Sequence, residues 1–405
     1  MKKYIYLLVG IVASASVNGQ ELESLIEHAQ RNNPEIQAFE LRYSIASEKV
    51  NEVNTLPNME LSAGYFVSEP ETRTGAQKAR FSARQMIPWF GTITARENYT
   101  RSLADAQYEE LVIAKRKLAL AVSQSYYRLY EIRAKQLVLE ENIQLLETYE
   151  RLAFTSVEVG NASAVDVLRL QIRQNELSQQ KEVLEQGHAT ERTFLNNLLN
   201  RDEQTQIEVY QKVTIPEQDP LTEDGNLALH PELLKYDKLY ESVQESEIVN
   251  QKEASPNLGF GLDYLPVAER PDMSFDANGK DILMPMVAVS IPIFSNKYKS
   301  ITLQNKLKQE EITAQKQERR NVLENFLSRA MNNRTAARIR FRTQSKNIEK
   351  AKDGEEILIK SYETGTIDFN DVLDIQELQL KFQMNQIESV QMYYVQSAII
   401  NYLIN

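Results

Sequence analysis

Two periods of hydrophobicity follow one another along the chain, and they do so twice in the same order. In "NMELSAGYFV" the apolar residues Met59, Leu61, Ala63, Tyr65 and Val67 alternate with Asn58, Glu60, Ser62 and Gly64. In "NLGFGLDYL" Leu258, Phe260, Leu262 and Tyr264 alternate with Asn257, Gly259, Gly261 and Asp263. A period of two predicts strands with one apolar face. Rougher partners follow at about 79–87 and 283–291, where in the first Arg80, Ser82 and Arg84 stand against Phe81, Ala83 and Ile87. Loops rich in turn and charged residues, Glu69 to Lys78 and Pro266 to Lys280, join each pair, so β-hairpins are expected over 57–88 and 256–292. Beyond each hairpin the period lengthens. From Thr92 to Val157 and from Ser295 to Tyr362 there is no proline, and in the first stretch Leu118, Val122, Leu129, Ile132 and Leu139 recur near helical spacing. Each such helix is about 100 Å long, and helices of that length persist by packing laterally on similar neighbours.

Short motifs repeat together with the periods. Asn33-Pro34-Glu35 returns as His230-Pro231-Glu232, Leu56-Pro57-Asn58 as Ser255-Pro256-Asn257, and Ile87-Pro88-Trp89-Phe90 as Ile291-Pro292-Ile293-Phe294. "EVGNASAVDVLRL" from Glu158 and "ETGTIDFNDVLDI" from Glu363 set the same glycine turn before the same Asp-Val-Leu. Pro88 to Asp166 and Pro292 to Asp371 differ in span by one residue. This is an internal duplication. A first repeat over 20–200 and a second over 227–405 each read as helix, hairpin, long helix, turn and helix, with tip turns at 158–163 and 363–368. A Pro/Asp/Glu-rich linker, 201–226, joins them.

Composition narrows the possibilities. The 405 residues are 42% hydrophobic and 25% charged, and a formal charge of -11 argues against a nucleic-acid partner, which requires a basic surface. There is no cysteine, hence no disulfide, thiolate metal site, cysteine nucleophile or lipidated N-terminal cysteine. Lys2 and Lys3, the apolar run Tyr4 to Ala13 and the small residues near Gly19 have the layout of a secretory signal peptide over 1–19. That apolar run is too short to cross a bilayer, which takes roughly twenty residues, and no later segment approaches a transmembrane helix. Any membrane entry must therefore use strands.

Alternating segments of about ten residues suit membrane barrel strands, and equally suit two surface hairpins on a soluble helical protein. Counting separates these readings. Four strands cannot close a barrel, and open sheet edges are not tolerated in lipid, so a membrane protein built this way must pool strands from several chains. Three chains give twelve strands and twelve long helices.

The duplicated layout, the glycine turn before Asp-Val-Leu and the Ile-Pro-Trp-Phe-Gly and Ile-Pro-Ile-Phe exits from the hairpins resemble the TolC family of outer-membrane efflux proteins over essentially the whole chain from Glu21. The resemblance implies a mainly α fold with a β-barrel portion: a homotrimer with a twelve-strand barrel in outer-membrane lipid and an α-helical tunnel in the periplasm of a Gram-negative bacterium. It implies a periplasmic adaptor and an inner-membrane transporter as partners, here of the proton-driven RND type. Leu61, Tyr65, Phe260, Leu262 and Tyr264 are then lipid-facing. The tips Val159, Gly160, Asn161 and Thr364, Gly365, Thr366 become adaptor-docking points, with glycine suited to the reversal.

The resemblance also assigns a periplasmic constriction. Asp371 and Asp374 match the family's paired aspartates; three-fold symmetry turns each into a ring of carboxylates that favours cations. Read without the family, they are solvated acids in the first turns of a helix, favoured by its dipole. Asp368 fits an N-cap. Tyr362 and Asp166 match the family's latch residues, but the latch arginine is replaced by Ile367, so closure is expected to lean on hydrogen bonding by Tyr362 and on apolar contacts. His28, His188 and His230 have no metal-site spacing, and no nucleophile with a base partner or phosphate loop is present. No cofactor and no enzymatic activity are expected. The function implied is passive conduction within a tripartite export system, with small compounds or metal ions favoured over proteins. The alternative is a soluble periplasmic coiled-coil scaffold that mediates protein contacts.

Overall fold

The computed structural model describes residues 17–160, 163–209, 213–219, 227–272, 274–293, 296–364 and 366–404. Most of the expected signal peptide, 1–16, lies outside these residues. The elements run α1 (Val17–Asn32), α2 (Pro34–Val53), β1 (Glu60–Tyr65), β2 (Glu71–Thr72), β3 (Gly75–Ala76), β4 (Ala79–Ile87), α3 (Thr92–Glu158) and α4 (Ala164–Leu198). After a 3-10 turn at Leu227–Leu229 come α5 (Pro231–Glu253), β5 (Asn257–Leu265), β6 (Ile282–Ser290), α6 (Asn296–Glu363) and α7 (Phe369–Ile404). The Asn-Pro-Glu motif is a helix start. Asn33 Oδ1 accepts from the amides of Glu35 (2.9 Å) and Ile36 (3.4 Å), while Pro34 fills the first helical position, where its missing N–H costs nothing.

Two compact units emerge, and each draws on both repeats. One comprises Glu40–Leu111 and Pro231–Arg319. It holds a four-stranded antiparallel sheet in the order β1-β4-β5-β6. Pairings such as Ala63 with Phe81, Phe81 with Tyr264 and Tyr264 with Leu283 place the alternating apolar residues of all four strands on one face. Leu61, Tyr65, Phe81, Phe260, Leu262, Tyr264, Leu283 and Val287 are all exposed there. The opposite face carries Glu60, Arg80, Ser82, Arg84 and Asp263, and on β6 Met284 and Met286. It is crowded: a Cβ on Gly261 would lie 3.3 Å from both the Ala83 carbonyl oxygen and Met286 Cε. Asp263, fully buried, pairs with Arg80. β1 and β6 end the sheet without a further partner strand among the described residues.

The connections at the loop end are ordered by one another. The first contains the small ribbon β2–β3, which the alternation pattern did not reveal. It meets the second through Ala268 N–H to the Ala76 carbonyl (2.8 Å), Lys78 N–H to Pro266 (3.0 Å) and Gly279 N–H to Thr74 (2.8 Å). Arg270 lies between Asp272 (3.3 Å) and Glu71 (3.8 Å).

The other unit comprises the residues up to Phe39, Val112–His230 and those from Arg320 onward. One core cluster gathers Leu139, Leu146, Tyr149, Val167, Leu170, Leu177, Tyr362, Phe369 and Val372. A second gathers Tyr130, Ala134, Ile215, Ala337, Ile387, Val390 and Tyr393. Ile215 belongs to the stretch read from sequence as a linker, and that stretch is strapped down. Tyr394 donates to the Thr214 carbonyl (2.7 Å), and Asp219 accepts from the Tyr393 hydroxyl (2.7 Å). Asp219 also pairs with Arg338 and, at 3.3 Å, with Arg334. Burial alone would raise the Asp219 pKa; the hydrogen bonds from Tyr393 and Arg338 and the charges of both arginines outweigh it and hold the carboxyl below its ordinary value.

Asp219→Ala leaves two arginines with little solvent and no counter-charge, and is expected to cost roughly 3 kcal/mol, read as a lower midpoint of helix melting. Because the folded pKa is depressed, the carboxylate's contribution is complete above its unfolded value of about 4 and disappears as pH falls through the lower folded one. Asp219→Asn should flatten that acid limb of the stability profile.

Candidate functional site at the helix tips

Each tip is built by local chemistry. α3 unwinds through Val159 N–H to the Thr155 carbonyl (3.3 Å) and Gly160 N–H to Val157 (3.0 Å). Gly160 sits at φ 77°, with nothing within 4 Å of where a Cβ would stand, so backbone conformation and not space selects glycine. Val159 is exposed, and Asn161 lies outside the described residues. Ser163 then starts α4: its hydroxyl accepts from Val165 N–H (3.2 Å), and Asp166 Oδ2 accepts from Ser163 N–H (3.3 Å), a reciprocal capping box. The nearly buried Asp166 is thus engaged by its own helix end.

At the second tip Gly365 lies outside the described residues. The flanking threonines close the turn: the hydroxyls of Thr364 (2.9 Å) and Thr366 (2.7 Å) both donate to the Ser361 carbonyl. Asp368 caps α7 by accepting from Asn370 N–H (3.0 Å). Asp371 and Asp374 follow within the first two turns and are exposed. Spaced by three, they share one side of the helix.

Beneath the tips lies an aromatic knot. Tyr362 meets Phe369 edge-on with ring centroids 4.8 Å apart, and Phe369 meets Tyr149 edge-on at 5.9 Å. Ile367, at the position of the absent arginine, packs against this cluster. The buried Tyr362 hydroxyl forms no hydrogen bond to Asp166; burial raises its pKa, Ser156 lowers it, and the charges of Asp166 and Asp368 raise it further. Tyr149 instead donates to Glu355 Oε1 at 2.6 Å. Burial, then that bond and that charge, push the Tyr149 pKa far up. Further polar contacts join first-repeat to second-repeat helices: Lys135 to Glu388 (2.6 Å), Arg169 to Asn370, and Gln376 to Asn142 (2.9 Å).

The structure therefore brings Tyr362 and Asp166 near one another without a bond, leaves Asp371 and Asp374 at the surface, and sets Leu61, Tyr65, Phe260, Leu262 and Tyr264 on the apolar sheet face. Sequence reasoning missed Tyr149, Glu355 and Phe369, whose only signal was helical periodicity. It also missed the capping box, which the spacing Ser163-x-x-Asp166 announces.

No protein-family model and no curated protein sequence matches the chain. Solved structures do. CusC, described for the conformational changes accompanying its folding and transmembrane channel formation, superposes with a TM-score of 0.77 at 14% identity over 95% of this chain and 92% of that one. The outer membrane protein VceC of Vibrio cholerae gives 0.75 at 15% identity over 95% and 96%. The outer-membrane channel CmeC of Campylobacter jejuni gives 0.75 at 15% over 95% and 85%. At these identities the likeness establishes the fold, long helices joined to a small sheet along nearly the whole chain. Among the described residues no helix is long and apolar enough to cross a membrane.

Tyr362→Phe should change the melting midpoint little, since the ring contacts survive, whereas Tyr362→Ala should cost about 3 kcal/mol. Asp166→Ala should cost about 1 kcal/mol through the lost capping box, also read by thermal melting.

Proposed function

We propose that this chain is one protomer of a trimeric outer-membrane channel that conducts export substrates passively from a periplasmic adaptor and an inner-membrane pump. The observation that carries the reading is the sheet. One face is apolar at nearly every register position and exposed, and both edge strands lack a partner strand among the described residues. Lipid would satisfy that face, and β6 of one copy against β1 of the next would satisfy the edges. Three copies give a twelve-strand barrel, with Arg80, Arg84 and Asp263 on its lumen side. The fold likeness to outer-membrane channels supports this arrangement.

The tips are the periplasmic end in this reading. Val159, Gly160 and Asn161 with Thr364, Gly365 and Thr366 face the adaptor. Asp371 and Asp374, three of each, form carboxylate rings that prefer cations and give divalent ions a place to block. Absence of the arginine latch, together with the aromatic packing of Tyr362, supports a closed state held mainly by apolar contacts. A proton-driven RND pump handling small compounds or metal ions is the partner system we favour.

Light scattering on the detergent-extracted particle should return three chains, each near the 46.6 kDa precursor less its signal; a monomer that stays soluble without detergent would leave the scaffold reading instead. In planar bilayers, Asp371→Ala with Asp374→Ala should erase cation preference and weaken divalent block at least about tenfold.

A further inference from the structure

The contact of greatest consequence beneath the tips is one that the latch pattern does not include. Glu355 lies on α6, two turns before Tyr362, and Tyr149 lies on α3, two turns before Val157. The Tyr149 ring is buried, 5% exposed, and its hydroxyl reaches the Glu355 carboxylate at 2.6 Å. Its other edge meets Phe369, which in turn carries Tyr362. Three helices of the unit, α3, α6 and α7, thus converge on one side chain. A hydrogen bond to an ionised acceptor is stronger than a neutral one, and less solvent competes for it when the donor is buried. In the contacts Lys135 to Glu388 and Arg173 to Glu377, the latter at 4.0 Å, the carboxylate is more than half exposed, so solvent competes at that end and lowers their worth. Asp166, which could have bridged the hairpins, is occupied by its own helix cap.

We propose that Tyr149, through Glu355, is the positioning residue that fixes the first-repeat hairpin against the second and so sets the width of the opening at the tips. Its consequence for conduction rests on the channel reading above; the positioning itself does not. Separation of α3 from α6 must break this bond and expose the ring pair.

The test uses the full chain, whose lack of cysteine allows clean labelling. Spin labels are attached at Glu147→Cys on α3 and Glu356→Cys on α6, both exposed positions. Tyr149→Phe keeps the ring and removes the donor; Glu355→Leu removes the acceptor; Glu355→Gln keeps an acceptor. The expected result is a broader and longer label distance in Tyr149→Phe and Glu355→Leu, a smaller change in Glu355→Gln, whose neutral acceptor keeps a weaker bond, and no further change in the double variant of Tyr149→Phe with Glu355→Leu. In bilayers the first two should raise conductance, shifting the equilibrium between narrow and wide tips on the order of tenfold. Unchanged distances in Tyr149→Phe, or equal changes in Glu355→Gln and Glu355→Leu, overturn the proposal. If the parent protein forms no channel in bilayers, the channel reading fails, and the label distances still decide whether Tyr149 positions the hairpins.

Discussion

An antiparallel sheet with one exposed apolar face and, among the described residues, two unpaired edge strands sets a constraint that neither water nor lipid alone relieves. Water tolerates the open edges of β1 and β6 but not a continuous apolar face that includes Leu61, Phe81, Phe260 and Val287. Lipid tolerates the face but not the edges. In the channel proposed above, edge-to-edge association of copies within lipid would satisfy both at once. The opposite face is crowded, because a side chain at Gly259 or Gly261 would meet neighbouring-strand atoms, and the Arg80–Asp263 pair has each charge compensated.

The long helices solve a different problem. Their apolar positions are sparse and their polar positions many, so burial by a single partner is thin. They are held instead by many shallow contacts, by small clusters such as that around Leu146 and Phe369, and by ends that satisfy their own backbone. Gly160, the Ser163–Asp166 box and the Asp368 cap let the chain reverse without help from a neighbour. A tip that closes its own hydrogen bonds is free to present its outer residues to another protein.

The strap around Asp219 shows how the two repeats are made into one structure. A stretch with the composition of a linker places Ile215 in a core and an acid between two arginines. Linkers are usually judged by flexibility; here the few apolar and acidic residues within one, matched to sites on α6 and α7, make it structural.

The sequence by itself determined the fold class and the extent of the long elements. Helices expected at 92–157 and 295–362 occupy Thr92–Glu158 and Asn296–Glu363, and the alternating segments are strands. These features are local: periodicity, proline position and caps are written in neighbouring residues, and backbone hydrogen bonding obeys them. The same locality made Asp368 legible as a cap. What only the tertiary structure decided is which distant residues meet. Nothing near Tyr149 names Glu355, 206 positions away. Nothing near Asp219 names Arg334 and Arg338. The register between helices fixes those pairs, and that register is set by the summed packing of many weakly apolar faces, a property of the assembled bundle and of no single stretch of it.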